Sequence, residues 1–564
     1  MKAKLTQLVF PLLLVIFSLV ILRPLFSEQL LYTDDAELHA ARVANYYLAV
    51  KQGQIPPRLA PNLDSGYGSS VLNFTYPLPY SISTLIYMAL PVTIVLALNL
   101  TIIILVLSGV LGVYYLAQKF SLKPRHSALA SLIYLTAPYT LINIYSRTAL
   151  GEIAFFAVLP WVMWNIEHFM GGKKVKPIVS LALVGSLALL LLSHQTSLII
   201  SAPVLITYYL LRAKNKKQVI TLIKRIIPLA AISLLITAWY WLPALIEKKF
   251  VILDRADTVT HYLDQFPNQW SFFFHKIKNL ERLDVLKIVS IGYSNLLIIL
   301  ISLWQIIKNK SKSRKEVKYL SIIFFSTIIL IMPFTRPLWL VSGLGQYIQY
   351  PWRLLSLVTL SSTLLFIHLT KNKLINNFFI GVILATSLLS AVVYAQPRGF
   401  QSWSDYELFE YFKTTTTFNE FQPIWAAEYT RHFPQEKVSL RVPEKSLYND
   451  DVLQTAEYAQ LKIQKWNGSA MSYVIDTEKP VEAIQKTYYF PGWELVVDGQ
   501  KRVIQYQDEE FPGHITYSLD PGKHQIELKF TNNTPPRKIG FALTLIGALS
   551  LSGYLFWHKK NESL

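Results

Sequence analysis

The chain has no cysteine. Disulfides, thiol nucleophiles and thiolate metal sites are excluded, and cysteine usage leaves the redox compartment open. Charge is scarce too: 16% of the 564 residues are charged and 52% are hydrophobic. No charged residue occurs from Leu5 to Leu22 or from Ser65 to Gln118. Gly-rich nucleotide loops, His-x-x-x-His pairs and Gly-x-Ser-x-Gly elbows are all missing. What remains is a chain built of uncharged runs long enough to cross about 30 Å of hydrocarbon, the pattern of a multi-pass membrane protein.

Its net charge of +19 sits in short loops between those runs. Orientation by the positive-inside rule accounts for it, and no nucleic-acid partner is expected. Lys2 and Lys4 precede a first span without a small-residue cleavage signature, so the amino terminus is placed in the cytoplasm. Pro77, Pro79 and Pro91 interrupt the long uncharged stretch, and a helix over 80–90 reaches only about 16 Å. It is read as juxtamembrane or re-entrant, with the second span at 92–117. That choice places six connections in the cytoplasm, 119–126, 171–177, 211–218, 308–318, 371–373 and the tail 558–564, and all are basic. The remaining spans fall near 127–142, 153–170, 177–193, 196–211, 221–243, 286–307, 318–335, 351–370, 374–395 and 537–557, about twelve in all.

The expected organisation is a multi-pass membrane domain over 1–395 with a first outer loop at 23–91. An aromatic, amphipathic connector lying along the membrane surface follows at 396–434. An extracytoplasmic β-rich domain spans 435–535, and 536–564 holds a final span with a cytoplasmic tail. Period-two runs such as KVSLRV, AQLKIQKW, MSYVID, WELVVDG, RVIQY, HITYSL and HQIELKF imply a β-sandwich-like domain.

Nearly every unusual polar residue falls on the outer side, and ionisable groups at span ends are functional candidates by default. The stretch Tyr32 to Tyr47 follows the first span and opens with Asp34 and Asp35. On a helix, Asp35, His39 and Arg42 share one face. The competing reading is a capping box, Asp34 with Glu37. Asp64 lies later in the same loop. Arg147 precedes Glu152 at a helix start, where an interfacial ion pair or a dipole-favoured carboxylate is the alternative. His194 interrupts two apolar spans, and a hydrogen-bonded structural histidine is its alternative. Arg353, in Tyr350-Pro351-Trp352-Arg353, offers a planar fork to a phosphate at headgroup height, or snorkels beside an interfacial Trp352. Glu247, Lys248 and Lys249 read as an interfacial charge cluster. The acids can in principle bind a divalent cation, although adjacent carboxylates are a weak metal signal.

A first span followed by a large outer loop that opens with paired acids resembles the C-type membrane glycosyltransferases, which use polyprenyl-phosphate-linked sugars. More narrowly, TDDAELH, GYGSSVLNFTYPLPY, APYTLINIYSRTALGE, LSHQTS, WYWLPAL and QYPWRLL resemble the bacterial membrane family labelled 6-pyruvoyl-tetrahydropterin synthase-related. YYFPGWELVVDGQ with DPGKHQIELKF is similar to the outer β-domain end of related bacterial membrane proteins. The resemblance implies that Asp34, matching the first acid of the superfamily's pair, is the base; Asp35 stands where many members have glutamate, so either carboxylate can act. It implies an inner-membrane enzyme that moves a sugar from a polyprenyl-phosphate donor to a glycan or protein acceptor. On physical grounds Arg147, Arg353 or His194 would stabilise the departing phosphate while an aspartate deprotonates the acceptor, inverting the anomeric centre. His39, Arg42, Glu152 and Asp64 would support them. A transporter or flippase, or a scaffold for lipid-linked glycans, is the alternative.

Overall fold

The computed structural model describes residues 2–171, 175–254, 261–267, 290–308, 314–416, 419–426, 437–441 and 458–560. Parts of the predicted 171–177, 308–318 and 558–564 connections, the start of the 286–307 span, residues 427–434 of the connector and residues 442–457 of the β-rich segment lie outside these ranges.

The amino-terminal two thirds are mostly helical, beginning with helix α1 (Lys2–Ile21) and, past the first loop's opening, α2 (Ala36–Lys51). Helices occupy each of the predicted spans, but only some have span character. Among the described residues six are long and apolar enough to cross a membrane, and eight if two bent pairs each count as one. The bends fall at 136–138, by 51°, and at 331–333, by 81°. In both cases a proline opens the second half, where its fixed φ suits a helix start and its missing N–H cannot continue the helix before it. The proline-opened helix Pro77–Ala89 is about 20 Å long and is not among the candidate spans; the next helix, Ile94–Lys119, is.

Helices 94–119 and 150–170 make the closest packing in this region. A Cβ on Gly109 would lie 2.9 Å from the Phe156 carbonyl oxygen, and one on Gly112 2.9 Å from Pro160. Only glycine lets the two backbones approach so far.

The carboxy-terminal region is two antiparallel sheets. One has the order β3 (Val438–Arg441), β6 (Val481–Tyr488), β10 (Pro512–Leu519), β9 (Gln505–Gln507). The other runs β4 (Ala459–Asn467), β5 (Ala470–Thr477), β11 (Gly522–Phe530), β7 (Trp493–Val497), β8 (Gln500–Arg502). Alternate side chains, including Tyr473, Ile475, Leu495, Ile515, Tyr517 and Ile526, meet between them, as period-two patterning requires. Strand β6 was not read from the sequence. Its Gln485 and Thr487 point inward, and Gln485 is fully buried because its Oε1 accepts from Tyr473 Oη at 2.9 Å.

The sandwich is joined to the helices through buried charge. Glu247 accepts from Arg537 (3.0 Å), Thr534 and Asn73, while Arg58 donates to Asn532, Asn73 and the Trp239 carbonyl. Glu247 is 1% exposed, so the expectation of an interfacial cluster is corrected: this carboxylate is the internal counter-ion that ties the last helix to the first loop. The connector is tied to the helical region at its start. Its β2 (Phe400–Gln401) pairs with β1 (Leu30–Leu31). Asp405 then accepts from Tyr87 Oη and from the Ile94 backbone.

Candidate functional site

The acidic turn is stapled to the arginine turn by main-chain bonds. After β1, Tyr32 N–H reaches the Gly399 carbonyl; Asp34 N–H then donates to Ser146 O (3.1 Å) and Asp35 N–H to Arg147 O (2.9 Å). The acceptors belong to a π-helical turn, Asn143–Arg147, which ends at Thr148 in the left-handed region (φ 54°). Such turns and such a φ on a β-branched residue are uncommon and gather at functional sites.

The capping reading of Asp34 is corrected here. Thr33 Oγ1 accepts from Ala36 N–H (3.1 Å) and meets Thr148 Oγ1 at 2.9 Å, so threonine does the capping. Neither aspartate side chain caps α2. Asp34 instead accepts from Arg398 Nη1 at 3.0 Å, and Glu37 accepts from Tyr411. Among the described residues the Asp35 carboxylate has no hydrogen-bond or ion-pair partner. Burial raises both aspartate pKa values, opposed for Asp34 chiefly by Arg398 and for Asp35 by Arg147, Arg42 and Arg353.

Along α2 the expected face forms. His39 Nδ1 lies 2.8 Å from Tyr80 Oη, and burial, reinforced by Arg42, holds its pKa well below the usual histidine value. Arg42 donates to Thr415 Oγ1 (3.1 Å) and to the Thr415 carbonyl (2.5 Å).

Opposite, Glu152 collects two guanidiniums. It accepts from Arg147 Nη1 (3.0 Å), Asn143 (3.3 Å) and Tyr139, with Arg353 Nε at 3.4 Å. Arg147 lies over the Trp352 ring (4.3 Å), Arg353 over Tyr350 (4.7 Å), and the two rings stack. Trp352 is only 3% exposed and so is packed inside the protein, and Arg353 Nη1 donates to the Ile348 carbonyl and the Gln349 side chain. His194 caps the next helix: its Nδ1 accepts from Ser197 N–H (3.2 Å), leaving the proton on Nε2. Burial pushes its pKa down to about 3. The Nδ1 side of His194 is thus engaged as a helix cap, while the ring packs against Tyr76 in the cleft wall.

These walls line an open cleft of about 490 Å³. Asp34, Asp35, His39, Arg42, Arg147, Glu152, His194 and Arg353 all line it; Asp64 does not. Asp64 sits in the 59–69 loop, where burial raises its pKa to about 6 against hydrogen bonds from Ser69 and Thr414. Tyr262, Gln349, Thr415 and Glu420 also line it and were not singled out as site residues in the sequence. Nor was Arg398, which lies just past the predicted 374–395 span. Among the described residues no group of three or more His, Asp or Glu is placed to hold a metal ion.

A family model described as 6-pyruvoyl-tetrahydropterin synthase related domain, membrane protein, matches residues 72–398. A comparison with curated proteins finds no match. Among solved structures, the arabinofuranosyltransferase AftD from Mycobacteria overlaps 70% of this chain at 15% identity and a TM-score of 0.43. An Archaeoglobus fulgidus oligosaccharyltransferase in the apo form overlaps 70% at 12% identity and a TM-score of 0.39. The chain spans 27% of the first and 56% of the second.

Proposed function

The chain belongs to the 6-pyruvoyl-tetrahydropterin synthase-related family of membrane proteins, and from that membership and the cleft we propose a membrane glycosyltransferase of C-type architecture. Its donor is a sugar on a polyprenyl phosphate, and its acceptor is a glycan or protein reached from the side that carries the β-sandwich. One observation carries this reading: a carboxylate with no partner among the described residues, Asp35, shares a cleft with two guanidiniums, Arg147 and Arg353, that have only Glu152 between them as counter-ion.

The division of labour follows from charge. Arg147 and Arg353 outnumber their carboxylate by one, which suits a phosphate whose negative charge grows as the sugar leaves. His194, neutral with Nε2–H, adds a donor. Asp35 is the better general base of the two aspartates, because Asp34 is already engaged by Arg398. A single base opposite the leaving phosphate inverts the anomeric carbon. The basic loops support a cytoplasmic-membrane location with the cleft and sandwich outside the cell.

The test is transfer of radiolabelled sugar from polyprenyl phosphate donors in membranes with and without the protein, and with Asp35→Asn. Transfer that needs Asp35 supports the enzyme. Protein-dependent movement of the lipid without transfer supports the transporter reading.

A further inference from the structure

Helices α1 and 377–394 both pack on the helix Pro124–Thr136, and a groove of about 850 Å³ runs between them. Its walls are apolar: Phe10, Leu13, Phe17 and Val20 on α1 face Leu129, Ile380 and Leu384. Gly381 opens the floor, since a Cβ there would meet nothing within 4 Å. From Phe10 to Val20 the groove is about 15 Å long, half the thickness of the hydrocarbon core. One end is different: Arg125 and His126 line it, with the Arg125 side chain exposed. Lys123 precedes the same helix, and Lys371 and Lys373 precede the neighbouring one. That end lies away from the catalytic cleft, because the 124–147 pair starts at Arg125 and reaches the cleft at Arg147.

We propose that this groove is a binding site for one anionic phospholipid of the leaflet at the Arg125 end, with an acyl chain along Gly381 and the headgroup phosphate on Arg125. An apolar channel one leaflet deep matches a chain of that leaflet, and a guanidinium at its mouth selects an anionic over a zwitterionic head. The site is independent of the sugar chemistry.

The full chain, purified in detergent, is mixed with phosphatidylglycerol or phosphatidylcholine and read by native mass spectrometry and thermal unfolding. One phosphatidylglycerol should be retained in preference to phosphatidylcholine and should raise Tm. Arg125→Gln, an exposed position, should weaken phosphatidylglycerol retention about tenfold, the loss of one charge-assisted contact, and phosphatidylcholine retention by less, so that the preference between the two lipids narrows. Gly381→Leu should abolish retention of both, whereas Lys214→Gln, at the same end on another connection, should change neither. Equal retention of the two lipids, retention unaffected by Arg125→Gln and Gly381→Leu, a polyprenyl lipid in the groove, or a second copy of the chain there would each overturn the proposal.

Discussion

Replacing each aspartate of the pair by asparagine separates a base from an ion-pair partner. Asp34 is 40% exposed and bonded to Arg398 at 3.0 Å, a solvent-screened pair worth no more than about 1 kcal/mol. Asp34→Asn should therefore lower stability by at most that amount and slow transfer modestly, by loosening the turn. Asp35 has no such pair, and burial raises its pKa in the folded chain. A carboxyl with a raised folded pKa favours the fold fully below the unfolded value near 3.8, and that contribution is lost as pH rises through the folded value. Asp35→Asn, which carries no charge at any pH, should leave Tm at neutral pH unchanged or higher. Loss of a general base costs 10²- to 10⁴-fold in rate, about 3–5 kcal/mol on the barrier. Thermal unfolding in detergent, set beside initial rates of sugar transfer, reads both quantities. The wild-type rate should also fall on the acid side with a midpoint above 3.8, and that limb should vanish in Asp35→Asn. Near-wild-type transfer by Asp35→Asn, or a larger rate loss in Asp34→Asn, refutes this assignment.

Glu152→Gln leaves two guanidiniums in the protein interior without their shared counter-ion and should destabilise the fold by about 3–5 kcal/mol in denaturant titration, with partial recovery in Glu152→Gln/Arg353→Gln. Asp64, with its pKa raised to about 6, favours the fold only while protonated, so Asp64→Asn should raise Tm at pH 7.5 and leave it unchanged near pH 3.8. Thr148→Gly relieves the left-handed φ but removes the Thr33 contact; Tm should hold or rise while transfer slows about tenfold, and Thr148→Ser should restore the rate. Gly109→Val forces a side chain against the Phe156 carbonyl and should cost about 1–3 kcal/mol by thermal unfolding.

Sequence alone was enough for the helical membrane character, the β-rich carboxy-terminal region and eight of the residues that meet in the cleft. Apolar runs and period-two alternation are local consequences of burial, and in a span an ionisable group stands out because hydrocarbon penalises it. Tertiary structure decided what local spacing leaves open. Asp34 and Glu37 fit a capping box, yet Thr33 takes that role because the π-turn brings Thr148 to it from 115 residues away. Glu247 reads as a surface charge until Arg537, 290 residues later, folds onto it. Which aspartate is free depends on Arg398, and which arginines share a carboxylate depends on how the 124–147 pair bends toward the 351–371 helix. Partners far apart in sequence leave no periodicity behind, so charge pairing is settled only when the helices pack.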